Sequence, residues 1–301
     1  MKSGLTVEVL SHEDGMMIKE IIYSRLELSR GLLRRMRKGG GVTLNGQFAH
    51  ITQRVTTGDI IHIRFADEPT NLQPQRLDLD ILYEDDFLLV INKVAGMAVY
   101  PTPAHPQNTL ANGLAYLWQE RGLQRKVRLV HRLDRETSGA IIVAKEPYAY
   151  QGLVTQLRNN TLERQYLAIV QGNLSEKTGV IDQPISHQHS TKDHGMKRII
   201  ADEGKAAKTY YRVIQEYPNY SLLSLKLASG RTHQIRVHLQ WLGFPIVGDH
   251  LYNQASKLID RQALHAWSVR FNHPRTDKEL IIRAPIPDDM KTLLEEVKNK
   301  S

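Results

Sequence analysis

HRLDRETSG, residues His131 to Gly139, sets one carboxylate, Asp134, among His131, Arg132 and Arg135, with Arg128 slightly upstream. Cations packed this closely favour the ionised form of an acid, so Asp134 is a candidate nucleophile or base that needs no metal. A second dense run, GRTHQIRVHL from Gly230 to Leu239, offers two guanidiniums and two imidazoles. The two runs read as facing walls of one site. Outward from them, Leu88 to Ile91, Ala140 to Ala144, Tyr166 to Val170, Tyr210 to Ile214 and Leu222 to Leu227 are strand-sized runs divided by turns or helices. No sustained alternation of strand and crossover helix demands a parallel sheet. The expected catalytic unit is therefore α+β, a mixed, mainly antiparallel sheet with flanking helices and a central cleft. It covers residues 77–290 and leaves 291–301 as a C-terminal tail.

Within the first run, Thr137, Ser138 and Gly139 suit a turn after Asp134 better than a chemical role, Gly139 because it tolerates a tight bend. In the second run, Thr232 is expected to cap a short helix through Leu242. That helix places Arg236 one turn in and packs Ile235, Leu239 and Leu242 inward. Arg231 then stands at or before the helix start, where a phosphate can reach it. His233 and His238 fall on different helix faces and do not form a chelating pair.

Forty Lys and Arg against thirty-two Asp and Glu leave the 301-residue chain with a formal net charge of +8. Such a length buries a full core, as one large domain or a large one with a small companion. The positive excess favours an anionic partner such as nucleic acid or phosphate, with plain solubility as the competing explanation. The sequence has no cysteine, which removes disulfides, thiolate metal sites and cysteine nucleophiles and is compatible with a cytoplasmic home. The first residues, broken by His12, Glu13 and Asp14, carry no apolar stretch of the signal-peptide kind. No apolar run approaches the roughly 18 residues of a membrane span, so no membrane partner is expected.

Upstream, Ser29 is expected to cap a helix whose apolar face is Leu32, Leu33 and Met36 and whose stop is Gly39 to Gly41. Arg30, Arg34, Arg37 and Lys38 fall on another face. Val42 to Leu44, the turn pair Asn45-Gly46, and the Gly58-Asp59 turn before Ile60 to Ile63 predict a small hairpin-bearing unit over residues 13–66. Pro69, Asn71 and Pro74 mark a linker at 67–76. A basic helix face taken alone is more often a solvated surface. Here Leu28-Ser29-Arg30, Gly41-Val42, Asn45-Gly46 and Gly58-Asp59 stand in the order and spacing of the S4-like RNA-binding domain, which this segment resembles. The resemblance implies a small α/β module docking Arg30, Arg34, Arg37 and Lys38 against structured RNA.

His131 to Gly139 resembles the signature motif of the RluA-type pseudouridine synthases. Arg164-Gln165-Tyr166 with Val170-Gln171-Gly172 is similar to that family's tyrosine motif, and Arg231 to Leu239 to its third motif. Supporting pieces run from Asn92-Lys93 and Ala95-Gly96, through Gly204-Lys205, to Gly243 to Asp249, Leu264-His265-Ala266 and His273-Pro274. The resemblance implies an RNA pseudouridine synthase, with Asp134 as the catalytic acid and Arg236 as its ion-pair partner. It implies that Tyr166 stacks on the extruded uracil and helps take the proton from C5. Arg132 would fill the space the flipped base vacates, beside His131 and Arg231 as further RNA contacts. Residue order is equally compatible with attack on C1′ and with removal of a proton from C2′. The pattern departs at Val94 and Tyr100, where the family usually has Pro and His, and this bears on substrate fit more than on catalysis.

Each assignment has a plainer rival: Asp134 as a structural acid, Arg236 as a surface cation, Tyr166 as a core strand residue. His187, His189 and His194 cluster as metal ligands do, but in a polar segment without cysteine they suit an RNA-facing loop. No metal or cofactor is expected, and the chain is expected to act as a cytoplasmic monomer on ribosomal RNA of the large subunit. Transfer RNA is the alternative substrate, and a non-catalytic RNA-binding assembly factor the alternative class. A glycoside hydrolase would need two carboxylates flanking a sugar bond, and only Glu136 stands near Asp134.

Overall fold

Alternation along two central strands decides the architecture of the larger unit. In the computed structural model, which describes residues 4–26, 28–29, 31–33, 41–65, 69–187 and 197–299, β5 (Asp80–Glu84) and β6 (Leu88–Lys93) form a hairpin. α2 (Leu110–Glu120), β7 (Arg128–Leu129), β8 (Ser138–Ala144) and α3 (Pro147–Arg158) follow. Leu89, Ile91, Ile141 and Val143 face one side of the sheet, where Leu110, Leu114 and Trp118 of α2 cover them. Leu88, Val90, Ala140, Ile142 and Ala144 face the other, against Ala149 and Leu153 of α3. A strand covered on both faces has no solvent side to mark with polar residues, which is why Ala140 to Ala144 reads as an unbroken apolar run.

The sheet grows from this centre. β9 (Glu163–Gln171), β10 (Thr178–Asp182), β13 (Lys208–Tyr217), β14 (Tyr220–Leu227), β15 (Leu264–Asn272) and β16 (Glu279–Arg283) join it, after the small β11 (Ile185–His187) and β12 (Arg198–Ile200) pair. Among the described residues the order is β10-β13-β14-β9-β15-β8-β6-β5, with β16 also on β15 and β7 also on β8. All pairings are antiparallel except β15 with β8, so the fold is the mixed, mainly antiparallel α+β one. That parallel contact matters for the site: Gly139 at the start of β8 has φ 113°, and a Cβ there would lie 2.3 Å from the Ala266 carbonyl oxygen. Only glycine lets β15 approach so closely.

The amino-terminal unit has its own core. β1 (Gly4–Glu8), β4 (Ile60–Arg64), β2 (Gly41–Leu44) and β3 (Gln47–Phe48) form an antiparallel sheet in that order, under α1 (Ile18–Ser24). The expected start at residue 13 is too late, because Leu5 and Val9 are buried in this core and β1 pairs β4 along its length. Ser29 does cap: its Oγ accepts the Leu32 N–H at 3.2 Å, and Leu32 and Leu33 are buried. Arg30, Arg34, Arg37 and Lys38, expected to bind RNA, lie outside the described residues, as do Met36, His189 and His194. The two units touch, with the Ser29 N–H donating to Gln151 Oε1 at 2.9 Å and Arg275 donating to the Thr6 carbonyl at 2.8 Å.

The expected tail is instead most of α5 (Asp288–Asn299), whose Leu293 and Val297 are fully buried in the main core. Charged residues on its outer face disguised an amphipathic helix as a solvated end.

Candidate functional site

Asp134 sits in the loop before β8, and almost every backbone group around it is tied down. Its carbonyl accepts the Thr137 N–H at 3.1 Å, closing the turn. The next carbonyl, Arg135 O, accepts both the Gly96 N–H at 3.0 Å and the Lys93 ammonium at 2.9 Å. Lys93 Nζ also donates to Val94 O and Met97 O, at 2.8 and 2.9 Å. Burial pushes Lys93 down to about 7, against the pull of Glu136 and Asp134. Three acceptors need three N–H donors, which only the charged form has. On the far side, Arg261 donates to Glu136 O at 3.2 Å and Gln262 to Thr137 Oγ1 at 3.3 Å.

The facing wall is α4 (Gln234–Trp241). Thr232 is not its cap. His233 occupies that position in the left-handed region, φ 57°, with no side-chain cap, and Gln234 Oε1 accepts the Arg231 N–H at 3.0 Å just ahead of the helix. The strained entry turns His233 toward Asp134, with Nε2 to Oδ2 at 3.8 Å. One turn on, Arg236 donates from Nη1 to Asp134 Oδ2 at 3.3 Å. Its stronger partner is Asp249, which takes Nε and Nη2 at 2.7 Å each and is completely buried. Burial works against the charge on Arg236, but Asp249 and Asp134 outweigh it and raise the group above its ordinary value. Gly248 makes the approach: it has φ 73°, and a Cβ there would meet the Arg261 carbonyl oxygen at 2.2 Å.

Tyr252 completes this wall. Its ring lies 5.1 Å from the Arg236 guanidinium carbon, and its hydroxyl accepts the Arg198 N–H at 2.7 Å. The same hydroxyl stands 3.1 Å from His233 Nδ1 and ties that ring into the wall. Burial drives His233 down to about 4, so the ring is neutral at physiological pH.

Asp134 lies at the junction of two cavities. One, of about 260 Å³, is lined by Asp134, Arg236, Tyr166, Arg164 and Arg132, with Arg231 at its edge. The other, of about 720 Å³, opens on the opposite side past Tyr100, His105 and Arg135. Tyr166 is 4% exposed. Burial raises its hydroxyl above the ordinary tyrosine value, Arg164 pulls it back and Asp134 raises it further, leaving a neutral phenol beside a carboxylate. Arg164, also buried, donates to Ser229 O at 3.3 Å and leaves its Nε without a partner. The smaller cavity thus sets one anion among four guanidiniums, those of Arg132, Arg164, Arg231 and Arg236, beside the ring of Tyr166.

Asp134, Tyr166 and Arg236, distant in sequence, are brought together, and exposed Arg132 and Arg231 stand at the mouth. The cations adjacent in sequence are not the ones that serve Asp134. Arg135 pairs with Glu136 at 2.7 Å, and Arg128 is on β7, lining a different hollow. His131 is buried, pushed down to about 3 by burial and by Arg164, and its Nε2 accepts the Ile142 N–H at 3.2 Å. It props the loop while lining both cavities at Asp134. Lys93, Arg164, His233 and Tyr252 gave no catalytic signal in the sequence. Lys93 and Asp249 stood inside quoted motifs, but only a buried charge facing the right partner distinguishes them from surface residues.

Comparison with known proteins adds an independent finding. Residues 87–241 match the family described as RNA pseudouridylate synthase. The uncharacterized RNA pseudouridine synthase YhcT of Bacillus subtilis is 40% identical over 293 residues, 96% of this chain and 96% of its own. Ribosomal large subunit pseudouridine synthase D of Nitrosomonas europaea is 37% identical over 270 residues, 86% of this chain and 77% of its own. Among solved structures, human RNA pseudouridylate synthase domain containing 1 superposes with a TM-score of 0.57 at 25% identity, covering 77% of this chain and 98% of that one.

Proposed function

We propose, from the premise that this chain belongs to the RluA-type family of RNA pseudouridine synthases, that Asp134, Tyr166 and Arg236 carry out the isomerisation of a uridine in large-subunit ribosomal RNA. The relatives named ribosomal large subunit pseudouridine synthase D support this choice of RNA. Pseudouridine is an isomer of uridine, so the reaction needs no redox partner and no group donor. The bond from uracil N1 to ribose C1′ breaks, the base turns, C5 joins C1′, and the C5 proton is lost to solvent while N1 takes one up. Such chemistry asks for an anion near the sugar, a cradle for a detached, negatively charged uracil, and exclusion of water.

The observation that carries the reading is the small cavity itself. It gathers Asp134, Arg164, Tyr166 and Arg236 around about 260 Å³. A flipped uridine seated there puts its ribose against Asp134 and its base over Tyr166, with Arg164 and Arg236 supplying positive charge as the base detaches. Asp249 holds Arg236 from behind, and Lys93 holds the loop, so the carboxylate is positioned before substrate arrives. Arg132, at the junction of the two cavities, is placed to enter the space the base leaves. The amino-terminal unit, read as an S4-like module, adds grip on folded RNA, and the chain works in the cytoplasm as a monomer without a cofactor. Among the described residues no helix is long and apolar enough to cross a membrane.

The test is release of tritium from ribosomal RNA labelled at uracil C5. Asp134→Asn is expected to abolish release while RNA binding survives, and retained turnover refutes the role of Asp134. Removing the amino-terminal unit is expected to weaken binding and flatten its salt dependence, because phosphate contacts release counterions. An unchanged salt slope refutes the module's part.

A further inference from the structure

Among the described residues three arginines are buried, and two of them are neutralised. Asp249 grips Arg236 through two bonds of 2.7 Å, and Asp289 grips Arg261 at 2.6 and 2.9 Å. Arg164, 7% exposed, has no such partner. Among the described residues it makes one hydrogen bond, to the Ser229 carbonyl at 3.3 Å, forms no ion pair, and leaves Nε bonded to nothing. A buried charge is almost always paired, because low-dielectric surroundings penalise it otherwise. Arg164 lines the 260 Å³ cavity at Asp134, so an anionic group entering that cavity meets a cation no other group has neutralised.

The place of Arg164 in the cavity says which anion suits it. Arg164 and Tyr166 stand two residues apart on β9 and therefore share one face of the sheet. Gly230 leaves room beside the guanidinium, where a Cβ would lie 3.1 Å from Nη1. Exposed Arg132 and Arg231 hold the mouth, within reach of phosphates that remain in water, while Arg164 is buried behind them beside the Tyr166 ring. Arg236 is already committed to Asp249 and Asp134. When the N1–C1′ bond breaks, its electron pair stays with the base. The negative charge spreads over N1 and both carbonyl oxygens until C5 uses a pair to join C1′. A guanidinium donates and never accepts, so a carbonyl oxygen gaining charge is a fitting partner. We infer that Arg164 and Tyr166 form a pocket for a planar pyrimidine anion, the ring lying along the tyrosine while the guanidinium bonds a carbonyl oxygen and holds its charge. Arg236 then serves the carboxylate and Arg164 serves the base. The pocket also binds free pyrimidine anions of the same outline. The inference rests on the pseudouridine synthase reading for the identity of the base.

The experiment uses the full chain, barbiturate as the probe, and uracil as its neutral counterpart of similar outline. Isothermal titration in chloride buffer is expected to show barbiturate bound, and uracil bound roughly tenfold more weakly. Barbiturate is also expected to compete with ribosomal RNA in the tritium assay. Arg164→Gln is expected to weaken barbiturate binding roughly tenfold. The same variant is expected to lower kcat about a hundredfold, as for one lost donor to a developing oxyanion, with KM for RNA nearly unchanged. Arg164→Lys is expected to recover part of both. Because its removal orphans no carboxylate, Arg164→Gln is expected to melt at or above the wild-type Tm. Unchanged barbiturate affinity and kcat in Arg164→Gln overturn the proposal, as does a wild-type protein that does not bind barbiturate. A raised KM with a shallower salt slope and wild-type kcat also overturns it, because that pattern marks a phosphate contact. So does a Tm well below wild type, which assigns the residue to the fold. A wild-type protein that binds barbiturate through Arg164 but releases no tritium refutes the enzymatic reading and leaves the pocket standing.

Discussion

Replacing Asp249 by alanine separates the energetics of the site from its chemistry. Both Asp249 oxygens hold Arg236, at 2.7 Å each, and the residue is wholly out of solvent. Asp249 Oδ1 also accepts the Leu251 and Tyr252 N–H groups at 3.2 and 3.3 Å. Asp249→Ala leaves a guanidinium that is 8% exposed with one long bond to Asp134 as its only carboxylate contact. Breaking a buried pair in this way costs about 3–5 kcal/mol. For a unit of this size each kcal/mol lowers Tm by about 2–4 °C, so the loss is expected near 10 °C. Asp134→Asn is the contrasting change: its side chain is 19% exposed, it gives up a single 3.3 Å contact, and a shift of about 1 kcal/mol or less is expected. Thermal unfolding followed by circular dichroism reads both, and tritium release is expected to vanish in both. The reasoning fails if Asp249→Ala unfolds within about 1 kcal/mol of wild type, or if Asp134→Asn falls as far as Asp249→Ala.

Arg236→Lys offers one ammonium where the site uses three nitrogens toward two carboxylates; turnover is expected to drop roughly a hundredfold with RNA affinity retained, and wild-type kcat would contradict it. Burial lowers His131 to about 3 and His233 and His265 to about 4, from an ordinary 6.5. Below 6.5 the unfolded chain takes up protons that these folded sites refuse, so stability is full above that pH and is lost as pH falls toward 4. Urea midpoints across that range check the slope, and His265→Gln is expected to flatten it. Lys93→Met removes the donor from three carbonyls behind Asp134. Turnover is expected to fall with KM unchanged, and the wild-type decline as pH rises past about 7, where Lys93 loses its proton, is expected to disappear; a variant that keeps both wild-type kcat and that decline contradicts the tether.

Local patterns were legible wherever a short-range rule acts. Turn residues at Asn45-Gly46, the Ser29 cap and strand-length apolar runs fell where the chain places them, whereas Gly139, expected in a bend, lies in β8 against β15. The α5 helix escaped because its buried residues, Met290, Leu293 and Val297, are few among charges. The Thr232 cap failed because a left-handed His233 starts the helix one residue later, a backbone turn that spacing does not reveal.

The sequence by itself determined which residues carry charge and chemistry, the α+β class, and a resemblance specific enough to name the family. It suggested that Asp134 is escorted by its own neighbours. The family resemblance named Arg236 as its partner, and only the tertiary structure decided that Asp249 braces that arginine, while Arg135 pairs with Glu136, His131 is neutral and Arg128 belongs to another surface. Proximity along a chain fixes little about electrostatics, because successive side chains of a loop point in different directions. The partner of a charge is the group that shares its low-dielectric pocket, and here that pocket is closed by the parallel contact at Gly139 and the tight turn at Gly248.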